Sequence, residues 1–185
     1  MSTLPGLFDP TDNPFNLAYR SLWDMLTASK AVNKLVRPGN MIKYHEQSAG
    51  SPAKDEVSQA DLPELILVAN TLKGGIRTTS DTSEATLGLQ WVISTGDPSV
   101  ARGLLPVMFA VYAALVKWPG VAQGIQWRNG TPIKRVDLLE SNLGLTDLDR
   151  NRGIAGWSAV WSVEVLLVYN TQDALDFANA LPFTS

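Results

Sequence analysis

The stretch GWSAVWSVEVLLVYN, Gly156–Asn170, decides the fold. Trp157, Ala159, Trp161, Val163, Val165, Leu167 and Tyr169 share one parity, while Ser158, Ser162 and Glu164 share the other with Val160, Leu166 and Val168. Alternation of period two, rich in β-branched and aromatic residues, predicts a long strand with one face fully buried and the other partly so. Such a strand belongs in the middle of a sheet, and the rest of the chain is read outward from it.

Its expected partner is Thr82–Thr95, where Ala85, Leu87, Leu89, Trp91 and Ile93 alternate with Glu84, Thr86, Gln90 and Ser94. Gly96 breaks that strand, and Asp97-Pro98 places a capping carboxylate before a proline at the first helical position. The segment 98–118 then carries Val100, Leu104, Met108, Val111 and Leu115 on one stripe, widened by Phe109, Tyr112 and Trp118. It predicts a second helix, buried on most sides, kinked or divided at Pro106 and stopped by Pro119-Gly120.

Upstream, Asn13-Pro14 is an N-cap signal. Leu17, Leu22, Met25, Leu26, Val32 and Leu35 recur at helical spacing, which predicts a helix over 14–36 ending at Arg37-Pro38-Gly39-Asn40. Residues 1–13 read as an extended arm. Met41–Glu46 reads as a short strand and 47–62 as a long loop. The apolar run in Glu64–Leu72 predicts a strand covered on both faces, and Lys73-Gly74-Gly75 a turn. Asn129-Gly130 between Val121–Arg128 and Thr131–Leu139 predicts a hairpin. Residues 140–153 read as a polar loop, and Thr171 as the cap of a short tail helix. The expected architecture is one α+β domain over residues 1–185: a mainly antiparallel sheet, an N-terminal helix, and a second buried helix packed on one face.

Composition narrows the function. The formal net charge of −3 argues against a general nucleic-acid binder, which neutralises phosphates with basic surface. Charged residues make up only 18% of the chain, so part of the apolar surface is open to cover by a partner. Cysteine is absent, which excludes a disulfide scaffold and a thiolate metal site. MSTLPGLFDPTDNPF lacks the pattern of a signal peptide, and no apolar run reaches the roughly 18 residues of a spanning helix. No membrane partner is expected.

Catalytic signatures are sparse. His45 is the one histidine, and no G-x-S-x-G elbow accompanies it. The carboxylates Asp55-Glu56, Glu140, Asp147 and Asp149 are candidates for a cation site or an acid pair. DLDRNRG at 147–153 lacks calcium-loop ligand spacing, so a solvated turn is the plainer reading. No phosphate-binding glycine motif occurs, and no cofactor is expected. Of the six tryptophans, Trp91 and Trp161 read as core. Trp127, beside the Asn-Gly turn, and Trp157, at a strand start, are open between core and protein interface.

Three stretches carry a resemblance to a known family: DLPELILV at 61–68 with the loop leading into it, ATLGLQWVISTGD with the apolar helix after it, and GWSAVWSVEVLLVYN. Over residues 14–175 the chain resembles the tail-terminator (tail-completion) proteins of tailed phages and, more loosely, other small neck proteins. The resemblance implies a non-enzymatic virion protein, assembled in the host cytoplasm as a ring, commonly a hexamer. Such a ring caps the tail tube, joins it to the head through the neck proteins, and lets DNA pass. Under that reading the expected interface residues are Trp127, Asn129, Gly130, Asp147, Asp149, Arg150, Arg152 and Trp157. The competing readings are another head–tail connector, a peptide-binding adaptor, and a hydrolase using His45.

Overall fold

Asn13 begins the regular structure. Its Oδ1 accepts the backbone N–H of Asn16 at 2.9 Å, and Pro14 follows where no N–H is needed, so α1 runs Pro14–Ala28. The computed structural model describes residues 11–43, 62–79, 81–97, 99–122, 127–128, 132–149 and 154–180. The expected arm at 1–13 and loop at 47–62 lie mostly outside the described residues.

The helix predicted over 14–36 is two helices. Ser29 leaves helical geometry with ψ 113°, and its hydroxyl receives the N–H of Val32, starting α2 at Lys30–Leu35. Serine offers the backbone this alternative to a continuous ladder. A 3-10 turn at Pro38–Asn40 leads into β1, Met41–Lys43.

Four long strands follow: β2 Glu64–Thr78, β3 Thr82–Thr95, β4 Ile133–Asp149 and β5 Ile154–Asn170. The sheet order is β1-β2-β3-β5-β4, antiparallel except for the β1–β2 pair. β5 sits between β3 and β4, and its register with β3 is unbroken from Thr82↔Asn170 to Thr95↔Trp157. Helix α3, Leu104–Ala122, connects β3 to the far side of the sheet, and α4, Thr171–Ala180, follows β5 directly. The α+β class, the mainly antiparallel sheet and the partnership of 82–95 with 156–170 stand as expected.

Several local readings are corrected. Lys73-Gly74-Gly75 does not turn the chain: β2 continues to Thr78, with a register shift between Lys73 and Arg77. Glycines relax the backbone enough for a strand to take extra residues there. The turn lies later, where the Thr79 hydroxyl accepts the N–H of Thr82 at 2.9 Å. The second helix begins at Leu104 rather than 98. Asp97 Oδ1 does accept the N–H of Ser99 at 2.7 Å, but residues 99–103 form turns, and Pro106 falls in the helix's first turn. Pro119-Gly120 does not stop α3, which runs to Ala122; so near the helix end proline removes one N–H and little more. Of the hairpin expected between Val121–Arg128 and Thr131–Leu139, the turn Asn129-Gly130 lies outside the described residues, while 121–122 belong to α3 and β4 pairs with β5. Residues 140–149 are strand, not loop: β5 is long enough to pair β4 along its whole length, which outweighs their weak strand propensity. At the tail helix, the N–H of Gln172 goes to Asn170 Oδ1 at 2.7 Å, so Asn170 does the work expected of Thr171.

The core lies between the helices and the odd-numbered face of β3 and β5. Leu22 and Leu26 of α1, Val107 and Val111 of α3, Leu65 and Leu67 of β2, and Leu89, Trp91, Val163 and Val165 join one buried cluster. Complete burial of each such side chain contributes about 1.5–3 kcal/mol. Two buried hydrogen bonds tie the layers: Trp118 Nε1 donates to Ser21 Oγ at 2.9 Å, and the Tyr19 hydroxyl donates to the Leu67 carbonyl at 3.2 Å.

The opposite sheet face is different. On β5, Ser158, Val160, Ser162, Glu164, Leu166 and Val168 are all half-buried, as are Glu84, Thr86, Gln90 and Val92 on β3. Ile66, Val92 and Val160 form one cross-strand row on it. The outward face of a sheet covered on one side is normally polar, so this apolar row is unusual.

Candidate interaction surface

Helix α3 is apolar nearly all the way round: LLPVMFAVYAALVKWPGVA contains one charge, Lys117. A helix of that composition is expected to be buried on every side. One side is not. Leu104, Val107, Met108, Val111, Ala114, Leu115 and Trp118 face the core, while Leu105, Phe109, Tyr112 and Val116 are 46%, 70%, 43% and 63% exposed. These four fall on one stripe at steps of four, three and four residues, the spacing that aligns side chains along a helix. Phe109 and Tyr112 have ring centroids 6.5 Å apart, and Tyr112 meets buried Trp161 edge-on at 6.2 Å. Tyr112 therefore links the exposed ridge to the centre of the core.

A groove runs beside the ridge, between α3 and the α1–α2 junction. It has a volume of about 770 Å³, an apolar floor that includes Met25, Ala28, Ala31 and Ala113, and Asp24, Lys30 and Lys117 on its walls. The break at Ser29 helps shape it, since Ser29 lies in its lining. Small side chains on facing helices leave the space open.

Of the residues expected at an interface, the described ones, Trp127, Asp147, Asp149 and Trp157, do not line this groove. Trp127 is only 3% exposed. Its Nε1 donates to the Asp12 carbonyl at 2.9 Å, its ring packs edge-to-face on Tyr169 at 5.8 Å, and the Arg128 guanidinium lies 5.2 Å from its centroid. Arg128 also reaches the Phe177 ring at 5.8 Å, and its φ of 50° puts the backbone in the left-handed region. Trp127 thus ties the entry to α1 against the end of β5, and its ring is spent inside the chain. Trp157 is half-buried against the core, opposite Thr95 and Leu145 at the other end of β5. At a strand rise of about 3.3 Å per residue, Trp157 and Tyr169 are roughly 40 Å apart, so the two tryptophans share no patch. Asp147 and Asp149 occupy β4 positions opposite Ala155 and Ile154. Asn129, Gly130, Arg150 and Arg152 lie outside the described residues, as do His45, Asp55 and Glu56.

Among the described residues no three of His, Cys, Asp or Glu converge on a possible metal position, and no helix is long and apolar enough to cross a membrane. Sequence reading missed Leu105, Phe109, Tyr112 and Val116 as surface residues. The available signal was the apolar surplus of α3: one sheet face cannot cover every side of such a helix. No protein-family model matches the chain, and no curated protein matches it at a significant level.

Proposed function

We propose that the chain is a structural, non-enzymatic protein of a tailed phage or prophage particle, a tail terminator whose ring caps the tail tube and joins it to the neck. The observation that carries this reading is the exposed apolar ridge of α3, Leu105, Phe109, Tyr112 and Val116, on a chain otherwise built like a self-sufficient α+β layer. Surface of that kind marks a protein contact site. The resemblance in 61–68, 82–97 and 156–170 supplies the particular assembly. In a closed ring each subunit offers one surface to the neighbour on its left and another to the neighbour on its right. A net charge of −3 suits a ring through which DNA passes without sticking.

The test is electron microscopy and native mass spectrometry of the purified chain, alone and with tail tubes. Rings of uniform size seated on tube ends are the expected result. Monomers alone, even with tubes present, would overturn the reading. Loss of a measured hydrolytic activity on His45→Ala would replace it with the enzyme reading.

A second reading, a peptide-binding adaptor, is favoured by one feature: β4 is a 17-residue edge strand at the end of the sheet order. An added strand would extend the sheet there. A labelled extended peptide that binds the monomer with ordinary saturation would support it over the ring.

A further inference from the structure

We propose that residues 1–10 of this chain dock in its own groove between α3 and the α1–α2 junction, with Leu4, Leu7 and Phe8 as anchors. The inference stands apart from the ring reading, since it concerns one copy folding onto itself.

The root of the segment is fixed and aimed at the groove. Thr11 lies against the side of α1 rather than ahead of it. Asn16 Nδ2 donates to the Thr11 carbonyl at 2.7 Å, and Arg20 Nη2 donates to the Thr11 hydroxyl at 3.1 Å. On its other side the root is held by Trp127 Nε1, which donates to the Asp12 carbonyl at 2.9 Å. Asn16, Arg20, Asp24 and Ala28 follow at steps of four residues and so form one row along α1. The first two hold Thr11, and the last two line the groove. A chain continued from Thr11 along that row passes over the groove.

Reach and spacing match. Residues 1–10 lie outside the described residues, and their sequence, MSTLPGLFDP, sets how far they extend. Pro5 and Pro10 fix their own φ and favour extended geometry at Leu4 and Asp9 before them. At about 3.3 Å per extended residue, Phe8, Leu7 and Leu4 come about 10, 13 and 23 Å from Thr11. Along α1, at roughly 1.5 Å per residue, Asp24 and Ala28 lie about 12 and 18 Å beyond Asn16. Phe8 and Leu7 therefore fall at the near end of the groove, and Leu4 over Ala28 and Ala31. Asp9, close to the root, falls beside Arg20, a favourable pairing of charge.

The groove suits these side chains. Its volume of about 770 Å³ lies within the range of about 300–1,000 Å³ typical of sites that enclose an apolar ligand. Ala28, Ala31 and Ala113 leave room for larger side chains, and Met25 gives an adaptable apolar wall. A tethered segment also has an advantage over any free occupant. A short tether holds it at an effective concentration of roughly millimolar, so weak contacts suffice. Docking there closes the groove and leaves the neighbouring ridge of Leu105, Phe109, Tyr112 and Val116 as the surface for a partner.

The chain has no cysteine, so engineered pairs report proximity without background. The experiment compares two full-length double variants, L4C/A28C across the groove and L4C/L175C as the reference. Leu175 is 51% exposed on α4, and α4 adjoins the segment's root through Arg128, which touches both Phe177 and Trp127. A freely swinging segment would meet Leu175 as readily as Ala28. Disulfide formation under mild oxidation of dilute protein is followed by gel mobility and mass spectrometry, and folding by circular dichroism. The groove pair is expected to close within one chain roughly tenfold faster than the reference pair, because docking raises the local concentration. Adding L7D/F8D to the groove pair is expected to abolish that advantage. If the A28C variant is unfolded, A31C takes its place. Equal rates in the two pairs overturn the proposal, as does a groove-pair rate that L7D/F8D leaves unchanged. Disulfide-linked dimers in place of closed monomers also overturn it, in favour of a segment that docks on a neighbouring copy.

Discussion

Trp91 and Trp161 are register partners at the centre of the β3–β5 ladder, and their rings meet edge-to-face with centroids 5.9 Å apart and planes inclined at 69°. Both indole N–H groups are buried without a hydrogen-bond partner. Burying an unmatched donor costs about 1–3 kcal/mol, so the pair persists because its area and ring contact outweigh that penalty. Tyr112 of α3 adds a second edge-on contact to Trp161, which makes this ring the junction of sheet and helix layers. Trp161→Ala is expected to destabilise the chain by about 3–5 kcal/mol, as a large aromatic truncation in a packed core does. Trp157→Ala, at a half-buried position, is expected to cost clearly less. Denaturant titration of the two variants checks this, and equal losses would mean that the start of β5 is as much core as its middle.

Trp118 differs from that pair because its N–H has an acceptor, Ser21 Oγ at 2.9 Å, and Trp118 itself is fully buried. Ser21→Ala removes the acceptor while changing little volume. The expected loss is about 1–3 kcal/mol, the cost of leaving one buried donor unmatched. Trp118→Phe in the Ser21→Ala background removes the stranded donor too, so the two changes should be less than additive. A double-mutant cycle by urea unfolding measures the coupling, and strict additivity would show that the bond contributes nothing.

How far these features were legible follows from where their causes lie. Alternation in 82–95 and 156–170 reports a two-faced strand within its own residues, and both strands formed as expected. Asn13-Pro14 likewise carries its cap locally. The strand at 140–149 was not legible, because ESNLGLTDLD has little strand preference and is held by pairing with β5, a tertiary cause. Ser29 splits the first helix through a single hydroxyl that the apolar spacing passes over. At the candidate surface, α3 shows no polar side to mark its exposed ridge. Trp127 looked available beside an Asn-Gly pair, but its partners Asp12 and Tyr169 are far away in sequence.

Gly103, just before α3, and Gly120, in its last turn, should respond oppositely to alanine. A Cβ on Gly103 would lie 2.7 Å from Asp97 Cβ, 2.8 Å from Thr95 Oγ1 and 3.2 Å from the Ser99 carbonyl oxygen, all in the junction between β3 and α3. That crowding forces the turn open, and Gly103→Ala is expected to cost about 1–3 kcal/mol. A Cβ on Gly120 meets nothing within 4 Å, and the residue is exposed inside the helix. Gly120→Ala is expected to stabilise by about 0.5–1 kcal/mol, the ordinary helix preference of alanine over glycine. Thermal melts of the two single variants give the signs directly, and a destabilising Gly120→Ala would argue that α3 ends before that residue.

The last prediction concerns alkaline pH. Burial raises the Tyr169 phenol above its ordinary value of about 10, at the point where its ring packs against Trp127. The folded chain therefore holds this proton to higher pH than the unfolded chain does. Below about pH 10 both states are protonated and the contribution of Tyr169 to stability is complete. Above it the unfolded state releases the proton first, so stability falls as pH rises through the raised folded-state value. Tyr169→Phe keeps the ring and removes the titration. Its stability should therefore fall less steeply than that of wild type in the alkaline range, while the two curves run parallel at neutral pH. Denaturation midpoints measured for both proteins across that range test this through their difference, which cancels the other tyrosines. A difference that stays constant with pH would show that the Tyr169 phenol titrates alike in the folded and unfolded chains.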